Sequence, residues 1–264
     1  MIARLLLVFL SATPALATAK TAELLLGTRY TSFHYKEILT APAKSTETVT
    51  YPSLLIQGRV FAMPHTYLQL SYEDAKNVKS QYDGADLNTG APALATNPLS
   101  FNTIDGTFFL GVTDTFSIYA GYGMRKWDRF LSGTPGYREI YSWNYLSLGL
   151  QYWFNINPDF EIGLDGCVRS TSGGKIKVIT SETYGGEDST MDLGARSGYR
   201  FSFPFIWRHD MLSFTAAPFY EFSRIGESNV VANATLAPTP GTGILEPSSE
   251  TVQYGAELTI GYAF

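Results

Sequence analysis

The last fourteen residues, Thr251-Val-Gln-Tyr-Gly-Ala-Glu-Leu-Thr-Ile-Gly-Tyr-Ala-Phe264, alternate with a period of two. Stepping back by twos from Phe264 gives Tyr262, Ile260, Leu258, Ala256, Tyr254 and Val252, all apolar or aromatic. The set between them, Ala263, Gly261, Thr259, Glu257, Gly255 and Gln253, is small or polar. A period of two belongs to a strand, whose successive side chains point to opposite faces. Two faces this unlike must meet two different environments, which restricts the chain to sheets with one apolar and one polar side.

The same alternation recurs along the whole chain. It runs through Leu24 to Tyr30, Leu54 to Val60, Thr66 to Asp74, Ile104 to Val112 and Phe116 to Tyr122. It resumes in Leu146 to Phe154, Phe160 to Val168, Met191 to Phe205 and Leu212 to Tyr220. With the terminal segment this makes ten strands, several at the nine to eleven residues that cross a bilayer obliquely. Connections alternate between short ones (Met63–Thr66, Thr113–Thr115, Asn155–Asp159, Arg208–Met211) and long polar ones (Leu39–Thr48, Ala75–Leu99, Leu131–Arg138, Ser170–Ser189, Gly226–Glu250). An aromatic carboxy-terminal residue closing such a strand resembles the last strand of bacterial outer-membrane β-barrels. The expected fold is therefore all-β, a transmembrane antiparallel up-and-down β-barrel of ten strands, with both termini periplasmic and the long loops outside.

The amino terminus supports secretion. Arg4, the apolar run Leu5 to Leu10 and the small residues Ala15, Ala17 and Ala19 read as a signal peptide over residues 1–19, leaving 20–264 as the barrel. Charged residues are only 16% of the chain, and the net charge of −5 disfavours nucleic acid as a partner. The single cysteine, Cys167, excludes an internal disulfide and reads as a small packed residue.

On the polar face of these strands the acids are Glu23, Glu73, Asp105, Glu161, Asp165, Asp192, Glu221 and Glu257. The bases are Arg29, Arg59, Arg125, Arg169, Arg196 and Arg200, with no lysine among them. Arginine can hold a carboxylate through two parallel hydrogen bonds, which suits a crowded interior. Ten strands enclose little more than their own side chains. The expectation is a lumen filled by an ion-pair network, against the alternative of a narrow path for small solutes.

Phe116-Ser-Ile-Tyr-Ala-Gly-Tyr122, Gly136-Tyr-Arg-Glu139, Asn144-Tyr-Leu-Ser-Leu-Gly-Leu150 and Phe160-Glu-Ile-Gly-Leu-Asp165 resemble the middle strands of omptins. That resemblance implies a ten-stranded outer-membrane protease acting at its extracellular rim. It also implies an acidic pair in the second outer loop and an Asp-x-His pair in the fourth. This chain departs there: the second loop offers only Asp83 and Asp86, and Ser170–Ser189 contains no histidine. A replacement acid-base pair would draw on His34 with Asp128 or Glu139. No histidine, cysteine or acid spacing suggests a metal, and no cofactor is expected. Rim aromatics (Tyr30, Phe33, Tyr35, Trp127, Phe130, Tyr137, Tyr141, Trp143) with Lys36, Lys126, Arg129 and Arg138 read as an interface girdle facing anionic lipid. The segment from Val230 to Ser249, rich in Ala, Thr, Pro and Gly, reads as mobile.

The functional expectation is a monomeric structural or surface-interaction protein. Its partners would be outer-membrane lipid and lipopolysaccharide, and the barrel-assembly machinery through Tyr262 and Phe264 of the terminal strand. The alternatives are a rim-located hydrolase, either an omptin-like protease or a lipid A-modifying enzyme, and a narrow small-solute channel.

Overall fold

The computed structural model describes residues 21–40, 43–63, 65–85, 91–132, 136–195, 197–237 and 242–264, so the expected signal peptide and Arg196 lie outside the described residues. The strands in chain order are β1 Ala22–Glu37, β2 Ser45–Met63, β3 Thr66–Ala85, β4 Pro92–Gly111, β5 Phe116–Leu131, β6 Tyr137–Asn157 and β7 Phe160–Ile179. After a single helical turn, α1 Ser181–Tyr184, come β8 Ser189–Gly194, β9 Ser197–Ser202, β10 Phe205–His209, β11 Leu212–Ser228 and β12 Ser249–Ala263.

Each of β1 to β7 pairs antiparallel with the next, and β12 returns to β1 with Leu26 opposite Ile260 and Tyr35 opposite Thr251. The three short segments β8, β9 and β10 all lie between β7 and β11, so they form one interrupted stave. The result is a closed barrel of ten staves, as the alternation predicts. Closure gives each stave a hydrogen-bonded neighbour on both sides and leaves no free edge.

The wall inverts the usual arrangement of a soluble protein. Leu26, Leu148, Leu150, Leu258 and Ile260 are exposed on the outside, whereas Arg29, Glu73, Arg125 and Glu221 are buried within. Leaving that much apolar surface outward is unfavourable in water and favourable in hydrocarbon. At the end bearing the termini and short turns, Tyr152, Phe154, Trp207, Tyr262 and Phe264 are exposed on the outer face, forming an aromatic girdle.

Within the wall the structure departs from expectation in three places. First, the strands run further than expected: β3 and β4 extend through the supposed loop and pair out to Ala85 opposite Pro92. Second, the stave after α1 changes face. Met191 and Leu193 are buried inward, yet Tyr199, Phe201 and Phe205, of the same parity, are exposed outward. A one-residue slip reverses every later side chain; it accompanies a register shift where β8 meets β11 at Gly226 and Ser228. Asp192 therefore lies exposed on the outside, 3.9 Å from Lys175, and not in the lumen. Third, Phe33, Tyr35, Trp127 and Tyr141 point inward, where they pack with Tyr51, Phe101 and Leu99 into a buried cluster inside the loop end.

Candidate functional site in the mouth of the barrel

Inward parity on β5 runs Arg125, Trp127, Arg129, which carries Arg129 into the loop end of the lumen. Its guanidinium stands over the rings of Trp127 (4.9 Å), Tyr35 (5.1 Å) and Tyr141 (5.3 Å), each contact attractive through the ring quadrupole. The same group meets three carboxylates: Glu139 of β6 at 2.5 Å, Glu47 of β2 at 3.4 Å and Glu37 of β1 at 3.6 Å. Glu47 also accepts hydrogen bonds from Ser80 and Asn97. Side chains from staves on facing sides of the barrel thus converge on one arginine, crossing the mouth.

A fourth carboxylate arrives from the β11–β12 connection. Glu246 is buried and accepts hydrogen bonds from the hydroxyls of Tyr141 (2.7 Å) and Tyr35 (3.0 Å), while its backbone amide donates to Ser228 Oγ. Four carboxylates thus gather around one arginine that pairs with three of them, and ionising all four would bury excess negative charge at high cost. Burial, reinforced by the charges of Glu139 and Glu37 and opposed by Arg129, pushes the Glu246 carboxyl up to about 8.

The described limbs of that connection fold inward as a strap, contrary to the mobility expected from its composition. Val231, Leu236 and Ile244 pack on the aromatic cluster, and Val231 and Ile244 exchange backbone hydrogen bonds. Asn233 is buried and donates to Ser189 Oγ and the Glu187 carbonyl, while its own Oδ1 accepts from the amides of Thr235 and Leu236.

Below this lies a second charged layer at mid-barrel. Glu221 receives Arg125 and Arg169 at 2.8 Å and Arg29 at 3.5 Å. Arg29 also reaches Glu73 at 2.8 Å, and Arg200 reaches Glu257 at 2.5 Å. Between this layer and the turn end a polar cavity of about 140 Å³ is lined by Asp105, Asp165, Tyr119, Tyr145, Arg169 and Arg200 among others. Near the turn end, Arg59 meets Glu23 at 3.1 Å and Arg208 pairs with Glu161.

The candidate acid-base residues do not converge. His34 faces outward from β1, bonded to Ser32 Oγ and the Tyr254 hydroxyl and stacked on the Tyr254 ring. Asp128 points outward from β5 and is held in a two-pronged pair with Arg138. Glu139 points inward to Arg129. The wall separates the histidine from Glu139, so the three share no water. Among the described residues no group of three His, Cys, Asp or Glu could hold a metal. Sequence reasoning missed Glu37, Glu47, Arg129 and Glu246 as lumen groups. The first three continue the inward parity past the point where strands were taken to end, whereas Glu246 sits in a loop with no period to read.

No protein-family model matches the sequence, and neither does any curated protein. Solved structures do match. The outer-membrane protease OmpT of Escherichia coli superposes with a TM-score of 0.53 at 12% identity, covering 96% of this chain and 99% of that one. The outer membrane protein OprG of Pseudomonas aeruginosa matches at 12% identity over 95% of this chain and 99% of its own, with a TM-score of 0.38. Ail of Yersinia pestis matches at 11% identity over 92% and 99%, with a TM-score of 0.33. At these identities the likeness is one of fold. The chain has the fold of the bacterial outer-membrane β-barrels, and the omptin-like resemblance of its central strands holds at that level.

Proposed function

We propose that this chain is an integral outer-membrane protein of a Gram-negative bacterium that acts as a structural or surface-interaction protein through its loop end. The loop end faces outward and both termini face the periplasm. The observation that carries this reading is the closure of the lumen at two levels: the Arg129 layer beneath the strap and the Glu221 layer at mid-barrel. A lumen crossed by buried, mutually bonded charges favours a wall and a surface over a conduit. Separation of His34, Asp128 and Glu139 disfavours a rim hydrolase built on them. A monomer suits a wall that closes on itself. Lysines on the outer face of the loop end, such as Lys36 and Lys126, would meet the phosphates of lipopolysaccharide, and Tyr262 and Phe264 would be read by the barrel-assembly machinery.

Single-channel recording in planar bilayers tests the closure. The purified barrel at neutral pH is expected to give no defined unitary steps above the bare-bilayer baseline. A stable, reproducible unitary conductance would overturn the closed-lumen reading in favour of a small-solute channel.

A further inference from the structure

The strap is fastened at the centre of the mouth by hydroxyl protons that are too few for their acceptors. Tyr141 has one proton and two carboxylates within reach, Glu246 at 2.7 Å and Glu139 at 3.1 Å. Tyr35 likewise faces Glu246 at 3.0 Å and Glu37 at 3.3 Å. Arg129 serves Glu139, Glu47 and Glu37, and it donates to the Tyr141 oxygen at 2.9 Å. Among the described residues no guanidinium nitrogen is paired with Glu246. The other ionisable neighbour, Tyr137 of β6, adds no positive charge. Among the described residues, the side chains facing Glu246 therefore offer it a hydroxyl or a like charge, and Arg129 is already taken.

We propose that the β11–β12 strap is a proton-operated latch, in which the protonated Glu246 carboxyl holds the strap across the mouth between Tyr35 and Tyr141, and its ionisation beside Glu139 and Glu37 releases the strap. A protonated Glu246 supplies the missing donor and lets Tyr35 and Tyr141 serve Glu37 and Glu139. An ionised Glu246 draws both hydroxyls to itself and sets three negative charges around them.

Burial and like charge push the pinned Glu246 carboxyl up to about 8. A freed strap returns Glu246 to the ordinary carboxylate range. Docking is therefore full strength below that range, weakens about tenfold per pH unit above it, and has lost this contribution by about pH 8. The remaining strap contacts do not titrate: Val231, Leu236 and Ile244 rest on the cluster by apolar packing, and Asn233 is held by hydrogen bonds to Ser189 Oγ and the Glu187 carbonyl. The latch does not depend on what the loop end binds.

A nitroxide placed at the exposed strap position Val230, by Val230→Cys with Cys167→Ala, reports strap motion in liposomes by its electron paramagnetic resonance line shape. The label is expected to be immobilised at pH 5 and to gain a mobile component, about tenfold larger per pH unit, on approach to pH 8. Adding Glu246→Gln, which keeps the acceptor but cannot ionise, is expected to leave the label immobilised throughout. A wild-type line shape unchanged from pH 5 to 9.5 overturns the latch. So does the same transition in the Gln variant, or a label already mobile in that variant at pH 5.

Discussion

Glu221 is the most heavily bonded carboxylate of the mid-barrel layer, with Arg125 on one oxygen and Arg169 and Arg29 on the other. Its side chain is only 2% exposed, so water cannot substitute for a lost partner. Glu221→Ala strands the buried guanidinium groups of Arg125 and Arg169 and leaves Arg29 with Glu73, and breaking a buried pair by deleting one member costs about 3–5 kcal/mol. The exposed pair of Lys44 and Asp83 is the comparison, since deleting such a surface bridge costs about 0–1 kcal/mol. Thermal unfolding in detergent is expected to show a markedly lower midpoint for Glu221→Ala than for Asp83→Ala; equal midpoints would refute the layer's structural role. Glu221, Arg29, Arg125 and Arg169 were all legible in the sequence, because a period of two fixes which side of a wall a residue occupies. Pairings were not legible. Which arginine reaches which glutamate depends on stagger between staves and on contacts across the lumen, neither of which alternation encodes.

The seam between β1 and β12 depends on two glycines. A Cβ on Gly27 would fall 1.9 Å from the Leu258 carbonyl oxygen, and one on Gly255 would fall 1.8 Å from that of Tyr30. Backbone lies in the way on both strands, so no rotamer change can relieve the clash. Gly58 on β2 has open space where its Cβ would point. Gly27→Val is therefore expected to impair closure, at a cost at or above the roughly 1–3 kcal/mol of ordinary overpacking, while Gly58→Val folds normally. The fraction migrating as the compact form on an unheated detergent gel measures this, and indistinguishable fractions would contradict the seam argument. The seam's pairing could be anticipated from two strands of matching alternation at the chain ends. The break within the stave of β8, β9 and β10 could not be. A slip at Gly194 leaves the composition of the stretch untouched while moving Asp192 from the inside to the outside. Nor did composition distinguish an inward aromatic cluster from an interface girdle, since Phe33 and Trp127 suit either.

Across the whole molecule the two cations are segregated. The lysines of the described residues, Lys36, Lys44, Lys76, Lys79, Lys126, Lys175 and Lys177, all belong to the loop end, whereas the charged layers of the lumen use arginine alone as their base. The physics differs at the two places. A buried fork that bonds several acceptors favours the guanidinium, and a hydrated point charge on a flexible stem suits a surface beside anionic headgroups. With no lysine at the turn end of the described residues, an amine reagent distinguishes the barrel's ends. If the loop end faces outward, a membrane-impermeant amine reagent applied to intact cells should modify Lys36, Lys79 and Lys126, which are exposed. The amino-terminal peptide should stay unmodified until the outer membrane is breached. Mass-spectrometric mapping of the modified peptides reads both. Label on the amino terminus of intact cells, with Lys36, Lys79 and Lys126 protected, would place the termini outside and reverse the orientation on which the surface role of the loops rests.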